Sequence, residues 1–85
     1  MNEDISRQIV ESPLCQQTIH NKQEAKAFLR FVWSELGINF TADDDFSTFG
    51  HFTPEAATLL NNRMDDCFNL FHQQTYDLLL QVMNE

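Results

Sequence analysis

After Pro54 the chain runs through Glu85 without a glycine or another proline, and its apolar residues recur at helical spacing all the way. Ala57, Leu60, Met64, Cys67, Phe71, Leu78 and Val82 lie on one stripe, with Thr75 filling the single gap, at steps of 3, 4, 3, 4, 4, 3 and 4. Such steps keep side chains on one face of a helix. Phe68 and Leu79 widen the stripe. Thr53-Pro54-Glu55 supplies the start. It offers a capping hydroxyl, a proline at the first helical position, where no N–H is needed, and an acid at the positive end of the helix dipole. The pattern predicts a single helix from Pro54 to about Met83, roughly 45 Å long at 1.5 Å per residue.

A helix of that length sets a covering problem for the rest of the chain. Asn21-Lys22-Gln23-Glu24 reads as an N-cap followed by the acid of a capping box. Ala25, Phe28, Leu29, Val32 and Leu36 then follow at helical spacing up to Gly37, which predicts a helix over 22–36. Phe31 and Trp33 flank this stripe, so the helix is apolar on more than one side. Ile5, Ile9 and Val10 suggest a first helix over 2–11, and Ser12-Pro13 opens a short turn running to Ile19. Thr41 to Gly50 reads as one or two turns. Any one of these is about half as long as the C-terminal helix. Either two lie end to end along its stripe, or a second chain covers the remainder.

The expected fold is therefore all-α: a single domain over 1–85, built as a small bundle of three to five helices with one long C-terminal helix at about 54–83. Composition agrees. Apolar residues make up 42% of the 85, enough for a core, while two Gly and two Pro are too few for the turns of an all-β domain.

The net charge is −8, and it is unevenly placed. Residues 1–36 hold five acids and four bases; residues 37–85 hold eight acids and only Arg63. Nucleic acid and anionic membrane surfaces require a basic footprint, so neither is an expected partner. A basic protein is. Met1-Asn2-Glu3-Asp4 has no basic-then-apolar leader pattern, and no apolar run approaches membrane-span length. A cytoplasmic protein with reduced Cys15 and Cys67 is the expectation.

Catalytic and metal chemistries find little support in the residues. Asp43-Asp44-Asp45 begins like a calcium loop, but the glycine position falls on Thr48 and the closing glutamate position on Pro54. A helix-capping acid run explains the acids better. His20, His51 and His72 are too scattered for a metal motif. Cys67 lies in the apolar stripe, where a thiol behaves as a small hydrophobe. Asp65 and Asp66 point about 100° apart on a helix and read as a solvated face. No catalytic residue, metal ligand or cofactor is expected.

The stretch from Leu36-Gly37-Ile38-Asn39 through Asp43-Asp44-Asp45-Phe46-Ser47-Thr48-Phe49-Gly50 resembles the middle of acyl and peptidyl carrier proteins, which are acidic helical bundles of similar size. The resemblance covers about a quarter of the chain. It implies a phosphopantetheine attachment serine at the next helix start, where this chain has Phe52-Thr53-Pro54. A carrier-like bundle without that serine is one reading.

The leading expectation is a small, acidic, non-catalytic interaction module, such as an inhibitor, an immunity-type protein or an adaptor, that binds a protein partner. The rings of Phe40, Phe46, Phe49 and Phe52 either plug the end of a bundle or offer anchors. The residues expected to touch a partner are Trp33, Asp43, Asp44, Asp45, Phe49 and Phe52. The alternative is a homodimeric accessory subunit pairing through the C-terminal helix, with Leu60, Met64, Phe71 and Leu78 as its seam.

Overall fold

A computed structural model describes residues 2–85. Its elements are α1 (Asn2–Glu11), α2 (Pro13–Gln16), α3 (Lys22–Arg30) continued by a π-helical turn (Phe31–Glu35), a 3₁₀ turn (Phe46–Thr48), α4 (Pro54–Phe71) and α5 (Gln74–Met83). No strand occurs among the described residues, and none of their helices is long and apolar enough to cross a membrane.

The starts of α2, α3 and α4 each follow from a capping side chain. Ser12 accepts from the Leu14 N–H at 3.2 Å, Asn21 from the Glu24 N–H at 2.9 Å, and Thr53 from the Ala56 N–H at 3.3 Å. Glu24 reaches back to the His20 N–H at 2.7 Å, one residue earlier than in a standard capping box. Gly37 ends the third segment at φ +68°, and the Ile38 N–H then reaches the Val32 carbonyl at 3.2 Å. The predicted helix over 22–36 is thus continuous, but its last turn is wide: the Leu36 N–H bonds Phe31, five residues back. That turn keeps Val32 fully buried between half-buried Phe31 and Trp33. The turn after Ser12-Pro13 ends at Gln16, three residues short of Ile19.

The predicted single helix over 54–83 is two helices. α4 is the longest element at 18 residues, and the chain then reverses at His72, with φ +52° and ψ −122°. These angles match the first central position of a type II′ turn, a place that favours glycine. A straight helix of about 45 Å would overrun a molecule whose longest extent is 31 Å. The reversal instead lays α5 back against α3. Thr75 makes it tolerable. Its hydroxyl, fully buried, donates to the Cys67 carbonyl at 3.0 Å, while the His72 N–H keeps its bond to Phe68 at 2.9 Å. The gap in the apolar stripe is therefore the cap of the break.

The core gathers Ile9, Cys15, Ile19, Phe28, Leu29, Val32, Phe46, Leu60, Met64, Cys67, Leu78 and Val82 from every helix. Of the expected dimer seam, Leu60, Met64 and Leu78 lie inside this core, and Phe71 is half-buried against it. A seam built from these side chains would have to dismantle the monomer, because α4 is already covered by α1, α2, the 3₁₀ turn and α5, and α5 by α3.

A partly buried ion pair pins the N-terminal loop to α4. The Arg63 Nε donates to Asp66 Oδ2 at 2.8 Å and its Nη1 to the Cys15 carbonyl at 2.9 Å; the same carboxylate oxygen accepts the Ile19 N–H at 3.2 Å. The Asp65-Asp66 pair is accordingly not one solvated face. Asp65 is exposed, while Asp66 is a half-buried clamp.

Candidate interaction site

Residues 39–52 form a loop that fills one end of the bundle with rings. Trp33 meets Phe40 edge-on at 5.7 Å, Phe40 meets Phe46 at 5.4 Å, and Phe46 meets Phe49 at 5.3 Å and Phe52 at 6.1 Å. Phe46 is fully buried and Phe40 nearly so, whereas Phe49 and Phe52 are half-buried. The two readings of the Phe cluster thus divide between its members.

The acids hold this loop in shape. Asp44 Oδ2 accepts the Thr41 N–H and Asp43 Oδ1 the Thr41 hydroxyl, both at 2.8 Å. Asp45 caps the 3₁₀ turn. Its Oδ1 accepts the Ser47 hydroxyl at 2.7 Å, the Ser47 N–H at 3.0 Å and the Asn61 amide at 2.9 Å, while Asn61 in turn accepts the Phe46 N–H at 3.0 Å. The hydroxyl of Ser47, its N–H and the Asn61 amide all favour the charged carboxylate and lower the Asp45 pKa below its ordinary 3.8. A lowered carboxylate pKa contributes stability that is complete above the unfolded value and is lost as pH falls through the folded one. The Ser47 and Asn61 amide resonances are therefore expected to be pH-independent through the ordinary carboxylate range and to shift together only as pH falls below the ordinary value of 3.8. Asp45→Asn should abolish that shared transition; its persistence would assign it to another group.

Three concavities surround the loop. The first, about 430 Å³, lies between the loop and α5 and is lined by Trp33, Phe40, Ala42, Leu79, Tyr76, Leu80 and Met83, with Asp44 as its charged member. The second, of similar volume, is acidic, with Asp43, Asp44, Asp45 and Asp65 above Met64 and Phe68. The two share Ala42 and Asp44, and Tyr76 of the first packs edge-on against Phe68 of the second at 5.5 Å. The two concavities adjoin at Ala42 and Asp44, one apolar along α5 and the other acidic, and together they are termed the double groove. The third, about 390 Å³, lies elsewhere, between Phe49, Phe52, Ile5, Leu36 and Ile38.

Trp33, Asp43, Asp44 and Asp45 are therefore brought together on the double groove, while Phe49 and Phe52 belong to another cleft. The sequence reading missed the α5 contribution. Tyr76, Leu80 and Met83 are 37%, 53% and 41% exposed, and they stand at i, i+4 and i+7, an apolar ridge beside the buried stripe. Exposed apolar side chains are ordinary when scattered. Among the described residues, three of the four large exposed ones line one groove; the fourth, Leu70, lines none of these concavities.

The acids facing this groove have no basic partner among the described residues. Arg63, the single base of residues 37–85, is consumed by Asp66 and Cys15. Nor do those carboxylates form a cluster able to hold a metal ion among the described residues. Cys15 and Cys67 are free and buried, and burial pushes their pKa values up to about 11 and about 12, the opposite of what a nucleophilic thiol needs. Thr53, at the place of a carrier protein's serine, has its hydroxyl engaged as the α4 cap and its N–H on Ser6 Oγ at 3.0 Å.

No family model matches the chain, and neither the curated proteins nor the solved structures contain a significant match.

Proposed function

We propose that this protein is a non-catalytic binding module, an inhibitor or adaptor in type, whose double groove takes an apolar segment of a basic protein. The observation that carries the reading is the exposed Tyr76–Leu80–Met83 ridge over Trp33 and Phe40, adjoining carboxylates that no base neutralises among the described residues. An amphipathic helix suits such a surface: its own i, i+4, i+7 side chains enter the apolar half, and Lys or Arg on its flank meets the acidic half. Opposite charges speed encounter, while the apolar anchors hold the complex.

The test separates these roles. Leu80→Glu should weaken partner binding by roughly 30-fold or more, the effect of losing about 2 kcal/mol at an anchor. Leu70→Glu, an exposed leucine outside the groove, should leave it unchanged. Asp43→Asn with Asp65→Asn should slow association at low salt and leave dissociation nearly untouched. Asp44 and Asp45 are unsuitable for that purpose, since both tie the loop backbone. Equal binding by the Leu80 and Leu70 variants would refute the groove as the docking surface.

A further inference from the structure

The largest departure of the structure from the sequence pattern is the break at His72. From Pro54 to Met83 nothing in the sequence forbids a single helix: no Gly or Pro interrupts it, and the apolar stripe keeps its phase through Phe71, Thr75 and Leu78. The chain nevertheless reverses at His72, a residue with a Cβ, held at φ +52° and ψ −122° where glycine is the favoured occupant. The reversal lets α5 reach α3 of its own chain. At the far end of that contact, Glu85 pairs with Lys26 at 3.5 Å and with Arg30. A short strained connection between two elements that would otherwise be one is the structural setting of segment exchange.

We propose that His72 is a hinge, and that a second copy of this chain is a partner. When His72 straightens, α4 and α5 become one helix, and α5 leaves its own α3 to pack on the α3 of the other copy. Two chains exchanging α5 reciprocally recover every α3–α5 contact, including Glu85 with Lys26 and Arg30, now between copies. Both hinges lose their left-handed backbone in the process. The cost is the entropy of association and the loss, within each chain, of the Thr75–Cys67 hydrogen bond and the Phe68–Tyr76 ring contact of the closed form. The exchanged helices also cross near Phe71 and Leu70, giving a half-buried and an exposed apolar side chain a covering they lack in the monomer. The groove survives, but as a composite: Trp33 and Phe40 from one copy, Tyr76, Leu80 and Met83 from the other.

The hinge residue supplies a two-way test. Ala at this position is as strained as His in the reversal and better in a helix; Gly is at ease in the reversal and poor in a helix. Because each dimer holds two hinges, His72→Ala should tighten dimerisation by about 10-fold or more and His72→Gly should weaken it by a similar factor. The chains are refolded at concentrations up to about 1 mM, to let exchange occur, and their mass is read by sedimentation equilibrium. Mixed ¹³C-labelled and unlabelled chains then report whether α3–α5 contacts are intermolecular. Dimers in the order Ala, His, Gly with intermolecular α3–α5 contacts support the exchange. Monomers throughout, no dependence on residue 72, or a dimer whose α3–α5 contacts stay within one chain each overturn it.

Discussion

Phe46→Ala is expected to lose about 3–5 kcal/mol, the range for deleting a buried aromatic ring. The ring is fully buried and touches Phe40, Phe49 and Phe52, so it joins the loop to the bundle at one point. A chain of this length has roughly 4–13 kcal/mol of total stability, and the substitution consumes a large part of it. In thermal unfolding, 1 kcal/mol corresponds to about 4–8 °C for a domain of this size, which places the expected fall at roughly 12–40 °C. Phe46→Leu keeps most of the volume and should lose less than half as much. A fall under about 1 kcal/mol for the alanine variant would show that the loop closes over the cavity without its central ring.

Arg63→Ala is expected to cost about 2–4 kcal/mol, because it leaves the half-buried Asp66 carboxylate without its counter-charge and the Cys15 carbonyl without its Nη1 donor. Arg63 is buried, so its stem packs as well as pairs. Arg63→Met separates the two contributions: the stem is kept and only the donors go. Replacing both partners, with Arg63→Met and Asp66→Leu, should be milder than either loss alone, since it removes the stranded charge. Urea midpoints of the three variants measure this directly. A double variant less stable than both single ones would mean that the pair itself, rather than the avoidance of an orphaned charge, holds the N-terminal loop on α4.

These two residues show where the sequence was informative and where it stopped. Caps and stripes are local signals, and they located the starts at Asn21 and Thr53, the stop at Gly37 and the core face of α4. Phe46 was legible as one of a ring cluster, but not as its buried member, because burial depends on which elements close over the loop. Arg63 was legible as the lone base of the acidic half. Its partners Asp66 and Cys15 were not, since one contact spans 48 residues. The break at His72 ran against every local signal; it arises because α5 gains more by packing on α3 than a continuous helix gains by projecting past the bundle. Of the candidate site, Trp33 and Asp43–Asp45 came together and Phe49 and Phe52 fell elsewhere. The Tyr76, Leu80 and Met83 ridge was present in the spacing, hidden by its nearness to the stronger buried stripe.

Placing a photo-reactive phenylalanine analogue at position 76, and separately at position 70, tests the proposed docking surface most directly. Both side chains are exposed, but only Tyr76 lines the groove. Irradiation in the native cell, followed by mass spectrometry, is expected to give one discrete adduct with a basic protein from position 76 and none from position 70. The position-76 adduct should fade when irradiation is repeated in lysate at high salt. No adduct at position 76, or the same adducts from both positions, would contradict the assignment of the groove.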